Sequence, residues 1–341
     1  MKRHNQILAS ILVIQIVLGV VVFWPKSAAT GGEPLFPDLE AGDIVSLTIT
    51  DADGNGIALA QLPSPEVGRG AGGEGRGDWV LPDADDYPAK ADKITPLLEK
   101  IAGLTTGRLV TRTDASHKRL QVAPDDFASR IKFETADGTK HALYLGSSPS
   151  YGATHFRLDG QSETYLTSDV STWDANTSAA SWIDTSYVSL DKERLTRVTL
   201  ENGNGTFVFT RDDAGEWTLA GLEAGEELAS GKVTTLVNRA TSVTLLRPLG
   251  TEEDAAYGLD DPLATVTLEI DDETVTLQVG AQDADDRSYI VKSSASPYYV
   301  RVAEHNVKPL VGNRRDDFLE LPSTPTPEPT PTSAGDTNTE E

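Results

Sequence analysis

Apolar and polar residues alternate in short runs along most of this chain, and the same succession of runs occurs twice. Asp43-Ile44-Val45-Ser46-Leu47-Thr48-Ile49 opens one copy, and Arg194-Leu195-Thr196-Arg197-Val198-Thr199-Leu200 opens the other. A period of two with β-branched residues predicts strands buried on one face. Each strand leads into a glycine-rich turn, Asp53-Gly54-Asn55-Gly56 and Asn202-Gly203-Asn204-Gly205, which supplies the positive φ angles of a hairpin. An acid-Trp-x-Leu strand follows, Asp78-Trp79-Val80-Leu81 against Glu216-Trp217-Thr218-Leu219. Then comes a predicted helix, Lys93-Ile94-Thr95-Pro96-Leu97-Leu98 against Lys232-Val233-Thr234-Thr235-Leu236-Val237.

The correspondence continues. Leu104 to Arg108 matches Val243 to Arg247, and Ile131-Lys132-Phe133-Glu134 matches Val266-Thr267-Leu268-Glu269. His141 to Gly146 matches Val275 to Gly280, and a further hairpin with a helix-like segment is expected near Thr167–Ala180 and Ala303–Val311. The fold class is therefore α+β: an N-terminal transmembrane helix, then two tandem repeats of an antiparallel sheet packed with helices. One face of each sheet is expected on its helix and the other in water. Pro96 inside the first helix suggests that Ala91–Thr95 is partly non-helical.

A different pattern occupies the N-terminus. Ile7 to Trp24 is apolar throughout except for Ser10, Gln15 and Gly19. At 1.5 Å per residue such a helix spans roughly 27 Å, about the hydrocarbon thickness of a bilayer. Lys2 and Arg3 precede it, which holds the N-terminus in the cytoplasm and exports the rest. A cleaved signal peptide ending at Ser27-Ala28-Ala29 is the competing reading, although secretory cores usually run only about 7–15 residues. Either reading exports the bulk of the chain. The expected organisation is a cytoplasmic tip (1–6), an anchor (7–24), a spacer (25–38), copy one (39–187), copy two (188–321) and a Pro/Thr-rich tail (322–341).

Composition narrows the chemistry. The formal net charge is −24, and no acid precedes Glu33. Such a surface repels nucleic acid and anionic headgroups, so no nucleic-acid partner is expected, and the exported bulk should stand off the membrane. The absence of cysteine excludes disulfides, thiolate metal sites and a cysteine nucleophile.

Candidate sites fare poorly when weighed residue by residue. Asp51-Ala52-Asp53-Gly54-Asn55-Gly56 fits the first half of a calcium loop, yet Leu62 stands where the bidentate Glu is needed, so a hairpin turn is the better reading. Arg76-Gly77-Asp78 is a chance tripeptide, since Asp78 belongs to the repeated Trp strand. Of His4, His117, His141, His155 and His305, only His141 and His155 are placed to approach one another, and two ring nitrogens make no zinc site. Neither a nucleophile elbow nor a phosphate-binding glycine loop is present. Trp79 and Trp217, repeated at one strand position, are expected in the core rather than as stacking platforms. No catalytic, cofactor-binding or metal residue is assigned, and no cofactor is expected. The Gly- and Glu-rich insertion Ser64–Gly77 is expected to be a mobile loop.

Tyr257-Gly258-Leu259-Asp260-Asp261-Pro262, the Trp217 strand and Arg315-Asp316-Asp317-Phe318-Leu319 together resemble the domain-of-unknown-function family 4340. The similarity covers about residues 39–320 and is strongest in copy two. Copy one has Arg119-Leu120-Gln121-Val122-Ala123-Pro124 in place of the Gly-Leu-Asp segment. The resemblance implies an anchored envelope protein, often encoded beside ABC-2-type transporter and gliding-motility-like auxiliary proteins. Two function classes stay open: a non-catalytic binding subunit of a membrane complex with protein partners, or an extracytoplasmic hydrolase with an unrecognised carboxylate site.

Overall fold

The computed structural model describes residues 32–63 and 78–320. The apolar run 7–24, the insertion Ser64–Gly77 expected as a mobile loop, and the tail 322–341 lie outside the described residues. Among the described residues no helix is long and apolar enough to cross a membrane.

The chain is a mixed α/β protein dominated by two large, mostly antiparallel sheets. In chain order, the first sheet and its additions comprise β1 (Ile44–Asp51), β2 (Gly56–Gln61), β3 (Trp79–Leu81), β4 (Tyr87–Pro88), helix α1 (Ala91–Ala102), β5 (Leu109–Thr111), β6 (Val122–Ala123), β7 (Asp126–Phe127), β8 (Ser129–Thr135), β9 (Lys140–Leu145), β10 (Thr154–Leu158) and β11 (Thr164–Thr167). The rest comprises β12 (Ser186–Ser189), β13 (Leu195–Asn202), β14 (Gly205–Arg211), β15 (Trp217–Leu219), α2 (Ser230–Thr241), β16 (Ser242–Gly250), β17 (Ala264–Ile270), β18 (Glu273–Gln282), β19 (Tyr289–Ser293), β20 (Tyr299–Val302) and α3 (Glu304–Gly312).

One sheet runs β5-β11-β10-β9-β8-β1-β2-β3-β4, and the other runs β12-β16-β20-β19-β18-β17-β13-β14-β15. Eight successive strands correspond in order; β4 is extra in the first sheet and β12 in the second. The registers correspond as well. Leu47 pairs Phe133 and Val198 pairs Leu268, with an irregularity one step earlier in both, between Ile44 and Ser46 and between Leu195 and Arg197. Trp79 stands opposite Gln61, and Trp217 opposite Arg211. Grouped by contacts, the chain forms two compact units, one reaching Tyr187 and adding Thr244–Asp254 and Ser296–Ala303, the other holding Val188–Val243, Ala255–Ala295 and Glu304 onward.

The helices bury matching stripes. Ile94, Leu97, Leu98 and Ile101 of α1 are buried, as are Val233, Leu236, Val237 and Ala240 of α2. This i, i+3, i+4, i+7 spacing is the face that a sheet-packed helix must offer. Pro96 does not break α1, contrary to expectation: Ala91–Ala102 is one continuous helix. The proline sits in the second turn, where its missing N–H leaves a single carbonyl, that of Asp92, without its intrahelical donor.

Two further expectations change. Thr167–Ala180 forms turns that lead into a short 3-10 helix at Ala179–Ser181 rather than an α-helix, whereas α3 does form near Ala303–Val311. Polar side chains capture the backbone in the former: Asp174 accepts from the Ser171 N–H at 2.8 Å and its hydroxyl at 2.7 Å, and Asn176 accepts from the Ser178 N–H at 2.7 Å. The outer face of the first sheet is also not wholly wet. The β6–β7 hairpin folds over it, so that Leu120, Val122 and Tyr144 form a small buried cluster with Phe127 against it. Within the stretch read as spacer, Phe36 is buried and packs edge-on to Phe133 at 5.5 Å.

A tight crossing recurs in both sheets. A Cβ on Gly146, just after β9, would lie 2.1 Å from the Leu120 carbonyl oxygen; one on Gly280, in β18, would lie 2.1 Å from that of Tyr257. The next residue of each crossing strand has positive φ, 57° at Gln121 and 64° at Gly258. The segment in which copy one departs from Tyr257-Gly258-Leu259 thus keeps the same backbone with a residue that tolerates it less well.

Candidate functional site

Most of the residues weighed in the sequence turn out to hold the fold together. Asp51 is a turn cap. Its carboxylate accepts from the Asp53 N–H at 3.0 Å, the Asn55 N–H at 2.9 Å, the Asn55 side chain at 3.0 Å and the Thr177 hydroxyl at 3.1 Å. Burial pushes its acid upward, but these donors outweigh that and hold it below the usual carboxylate range. Asn202 fills the same register and donates to the carbonyls of Leu310 (2.8 Å) and Asn313 (3.1 Å). In both sheets the hairpin tip therefore clasps the segment that closes its copy.

The histidines do not converge. His141 stacks on Phe133 at 4.8 Å, while His155 Nδ1 lies 2.8 Å from the Ser147 carbonyl. His155 crosses the ladder at Gly146, five positions from His141, roughly 16 Å at 3.3 Å per residue. The expectation that these two could approach fails on strand register. His117 is buried and contacts the Ser162 carbonyl at 3.0 Å. No group of three or more His, Cys, Asp or Glu among the described residues is arranged to hold a metal ion. His4 and the Arg76-Gly77 part of the tripeptide lie outside the described residues.

The two tryptophans differ. Trp79 is 5% exposed and in the core as expected, whereas Trp217 is only half-buried. Strand β4 covers the outer edge of β3, but β15 ends its sheet. Uniform core burial of the pair is thus corrected by the presence of one extra strand.

The clearest open feature lies beside Trp79. A cleft of about 750 Å³ runs between the 3-10 turn Ala41–Asp43, the end of β2 and the first turns of α1. Its lining includes Glu40, Gln61, Asp78, Asp92, Glu99 and the cation Lys90. The Lys90 ammonium lies 3.1 Å from Asp184, so it is already matched to an acid. The cleft is therefore electronegative and favours a cationic occupant.

At the register of Gln61, the second sheet carries Arg211. Its guanidinium donates to the Gly215 carbonyl at 3.1 Å, the Glu193 carbonyl at 3.0 Å and the Glu193 carboxylate at 3.1 Å. Glu193 lies in the 3-10 turn Lys192–Arg194, which precedes β13 as Ala41–Asp43 precedes β1. Arg211 thus ties strand to turn where Gln61 leaves space. The Gln/Arg difference is present in the sequence, but only the shared register of the two tryptophan strands makes the two positions equivalent.

Arg157 also escaped the sequence reading. It is 3% exposed, with Nε donating to the Val122 carbonyl at 2.8 Å, Nη1 to that of Gln161 at 3.0 Å, and the Tyr144 ring 4.6 Å from its carbon. It staples the β6–β7 hairpin onto the sheet. Lys292 stands at the matching register of β19, and burial lowers its pKa.

In the second unit, Arg315 forks onto Glu226 at 2.7 and 2.5 Å. The Arg315 guanidinium and the Glu223 N–H hold the Glu226 acid down at about 2. A depressed carboxylate stabilises the fold fully above its ordinary value near 4.5 and loses that contribution as pH falls toward 2. Acid titration followed by circular dichroism should accordingly show Glu226→Gln with a shallower stability decline than wild type between these values. Identical slopes would remove the pair from the account.

Taken together, these features define a mixed α/β protein with two large, like-connected, mostly antiparallel sheets. The chain belongs to the DUF4340 family: the family's model, described as a domain of unknown function, matches residues 79–255, slightly over half of the chain. The matched span includes Trp217 and ends before the Tyr257–Pro262 and Arg315–Leu319 segments. No curated protein and no solved structure matches this chain.

Proposed function

We propose that this protein is a membrane-anchored, extracytoplasmic accessory or scaffold protein, a non-catalytic binding subunit of an ABC-type transport or envelope complex. In this reading Ile7–Trp24 is the anchor and residues 39–187 and 188–321 are tandem copies of one unit, in which matched strand order and register are what duplication leaves behind. The observation that carries the binding role is the acidic cleft, open at Gln61 where its counterpart is tied by Arg211. Its carboxylates suit a basic side chain or basic patch on a protein partner. Confinement by the anchor raises the effective concentration of such a partner, so a modest contact suffices.

The experiment is site-specific photocrosslinking from position 95, on the cleft wall, in intact membranes. Capture of transporter or auxiliary subunits is expected, weaker at high salt and weaker with Asp92→Lys and Glu99→Lys together. Recovery of the free protein alone, together with turnover of an envelope substrate by the purified chain, would replace this reading with the hydrolase alternative, for which the same carboxylates are the available groups.

A further inference from the structure

Four of the first unit's exposed large apolar side chains, including its two most exposed, lie at one end of the first sheet; Leu62 and Leu246 are exposed elsewhere. Trp173 is 88% exposed and Tyr151 fully so, while Leu109 and Val110 are 40% and 44% exposed. Ladder registers bring them together. Thr154 pairs Thr167 and Tyr165 pairs Leu109, so the start of β10, the end of β11 and the start of β5 share one end of the sheet's strands. Tyr151 stands three residues before Thr154, and Trp173 six residues after Thr167.

The turns that carry Trp173 and Tyr151 are braced. The turn carrying Trp173 is pinned by Val170 and Ala175, exposed by 1% and 3%, and by Asp174, which meets Lys100 of α1 at 2.5 Å. Tyr151 tops a turn closed by the Ala153 N–H on the Ser150 carbonyl at 3.1 Å. A tryptophan fixed outward on a braced turn is costly surface unless something covers it.

What covers it follows from where the chain joins the fold. The Thr106 N–H donates to Glu33 at 3.0 Å and the Leu35 N–H to Leu104 at 2.7 Å. A Cβ on Gly32 would sit 2.0 Å from the Gly107 nitrogen, so the path is fixed against residue 107, next to Arg108 and Leu109. From Trp24, at the end of the apolar run, to Gly32 is eight residues, a reach of at most roughly 29 Å. One segment at this end is basic: Leu104–Thr113 holds Arg108 and Arg112 and no acid, although Glu33, Asp114, Asp169 and Asp174 lie around it.

We propose that this end of the first unit, presenting Trp173, Tyr151, Leu109 and Val110 with Arg108 and Arg112, rests on the bilayer surface beside the anchor. Indole and phenol rings prefer the headgroup boundary, and arginine stems lie along apolar surface with the charge in the headgroups. The inference rests on the anchored reading above. It departs from the expectation that an acidic surface stands off the membrane, because the segment that would meet the headgroups, Leu104–Thr113, carries two arginines and no acid.

Because the chain has no cysteine, single-cysteine labelling is clean. The full chain carrying Trp173→Cys, Val110→Cys or, as a distant control, Lys140→Cys at the opposite end of β9, takes an environment-sensitive dye. It is then reconstituted into phosphatidylcholine–phosphatidylglycerol vesicles containing nitroxide-labelled lipid. Labels at 173 and 110 should be quenched about threefold or more strongly than at 140, as shallow interfacial positions are. All three substitutions are at exposed positions. Co-flotation of the chain with equal, weak quenching at all three positions overturns the bilayer contact and leaves the anchor standing. Loss of co-flotation overturns both. A label at 173 shielded from aqueous iodide but untouched by lipid nitroxide assigns the end to a protein instead, and also overturns the proposal.

Discussion

Replacing Trp79 by alanine should destabilise the chain by about 3–5 kcal/mol, whereas the same change at Trp217 should cost about 1–2 kcal/mol. The two residues share a register, yet β3 is buried along its whole length while β15 shows half-buried, exposed and buried positions in turn. The Ala89 N–H donates to the Trp79 carbonyl at 2.8 Å, beside the β3–β4 pairing that covers this edge. Cost scales with apolar area removed from water and with the cavity left, so the covered tryptophan dominates. Urea unfolding of the two purified variants, compared at equal slope, checks this. Equal losses would show that strand position, not edge coverage, sets the contribution.

A second large effect is expected at the two crossing glycines. Gly146→Ala and Gly280→Ala should each cost about 3 kcal/mol, because the methyl meets a backbone carbonyl at 2.1 Å and neither strand can swing aside without breaking its ladder. A milder companion effect has opposite signs in the two copies. Gln121→Gly should gain about 0.5 kcal/mol by relieving a left-handed residue, and Gly258→Gln should lose about 1 kcal/mol by imposing one. Midpoints from urea unfolding report all four. A neutral Gly280→Ala would mean that the Tyr257–Leu259 crossing is loose in solution.

Much of this architecture was legible in the sequence because it rests on local rules. A two-residue period, glycine turns and a helical stripe depend on nearby residues, and they occur twice in the same order. The pairing of Ile131–Glu134 with Val266–Glu269, and of His141–Gly146 with Val275–Gly280, is reproduced by the strand registers. Where the reading slipped, distant residues decided. Thr167–Ala180 became turns because Asp174 found Lys100 and Ser171, and Trp217 lost its cover because a neighbouring strand is missing on that side. His141 and His155 were separated by ladder register, which no nearby residue encodes.

The candidate cleft shows the same division. Its acids and the Gln61/Arg211 difference were written in the chain, but that Arg211 reaches the carbonyl of Glu193 while Gln61 leaves space depends on tertiary placement. The sequence by itself determined most of the strands, the two main helices, the repeated order and the acidic balance, since propensity, period and composition act over a few residues. The tertiary structure alone decided which tryptophan is covered, which backbone crossings demand glycine, and which ends of strands bring Trp173, Tyr151 and Val110 to one end of the sheet. Those outcomes depend on contacts closed between residues far apart in the chain, where no local preference reaches.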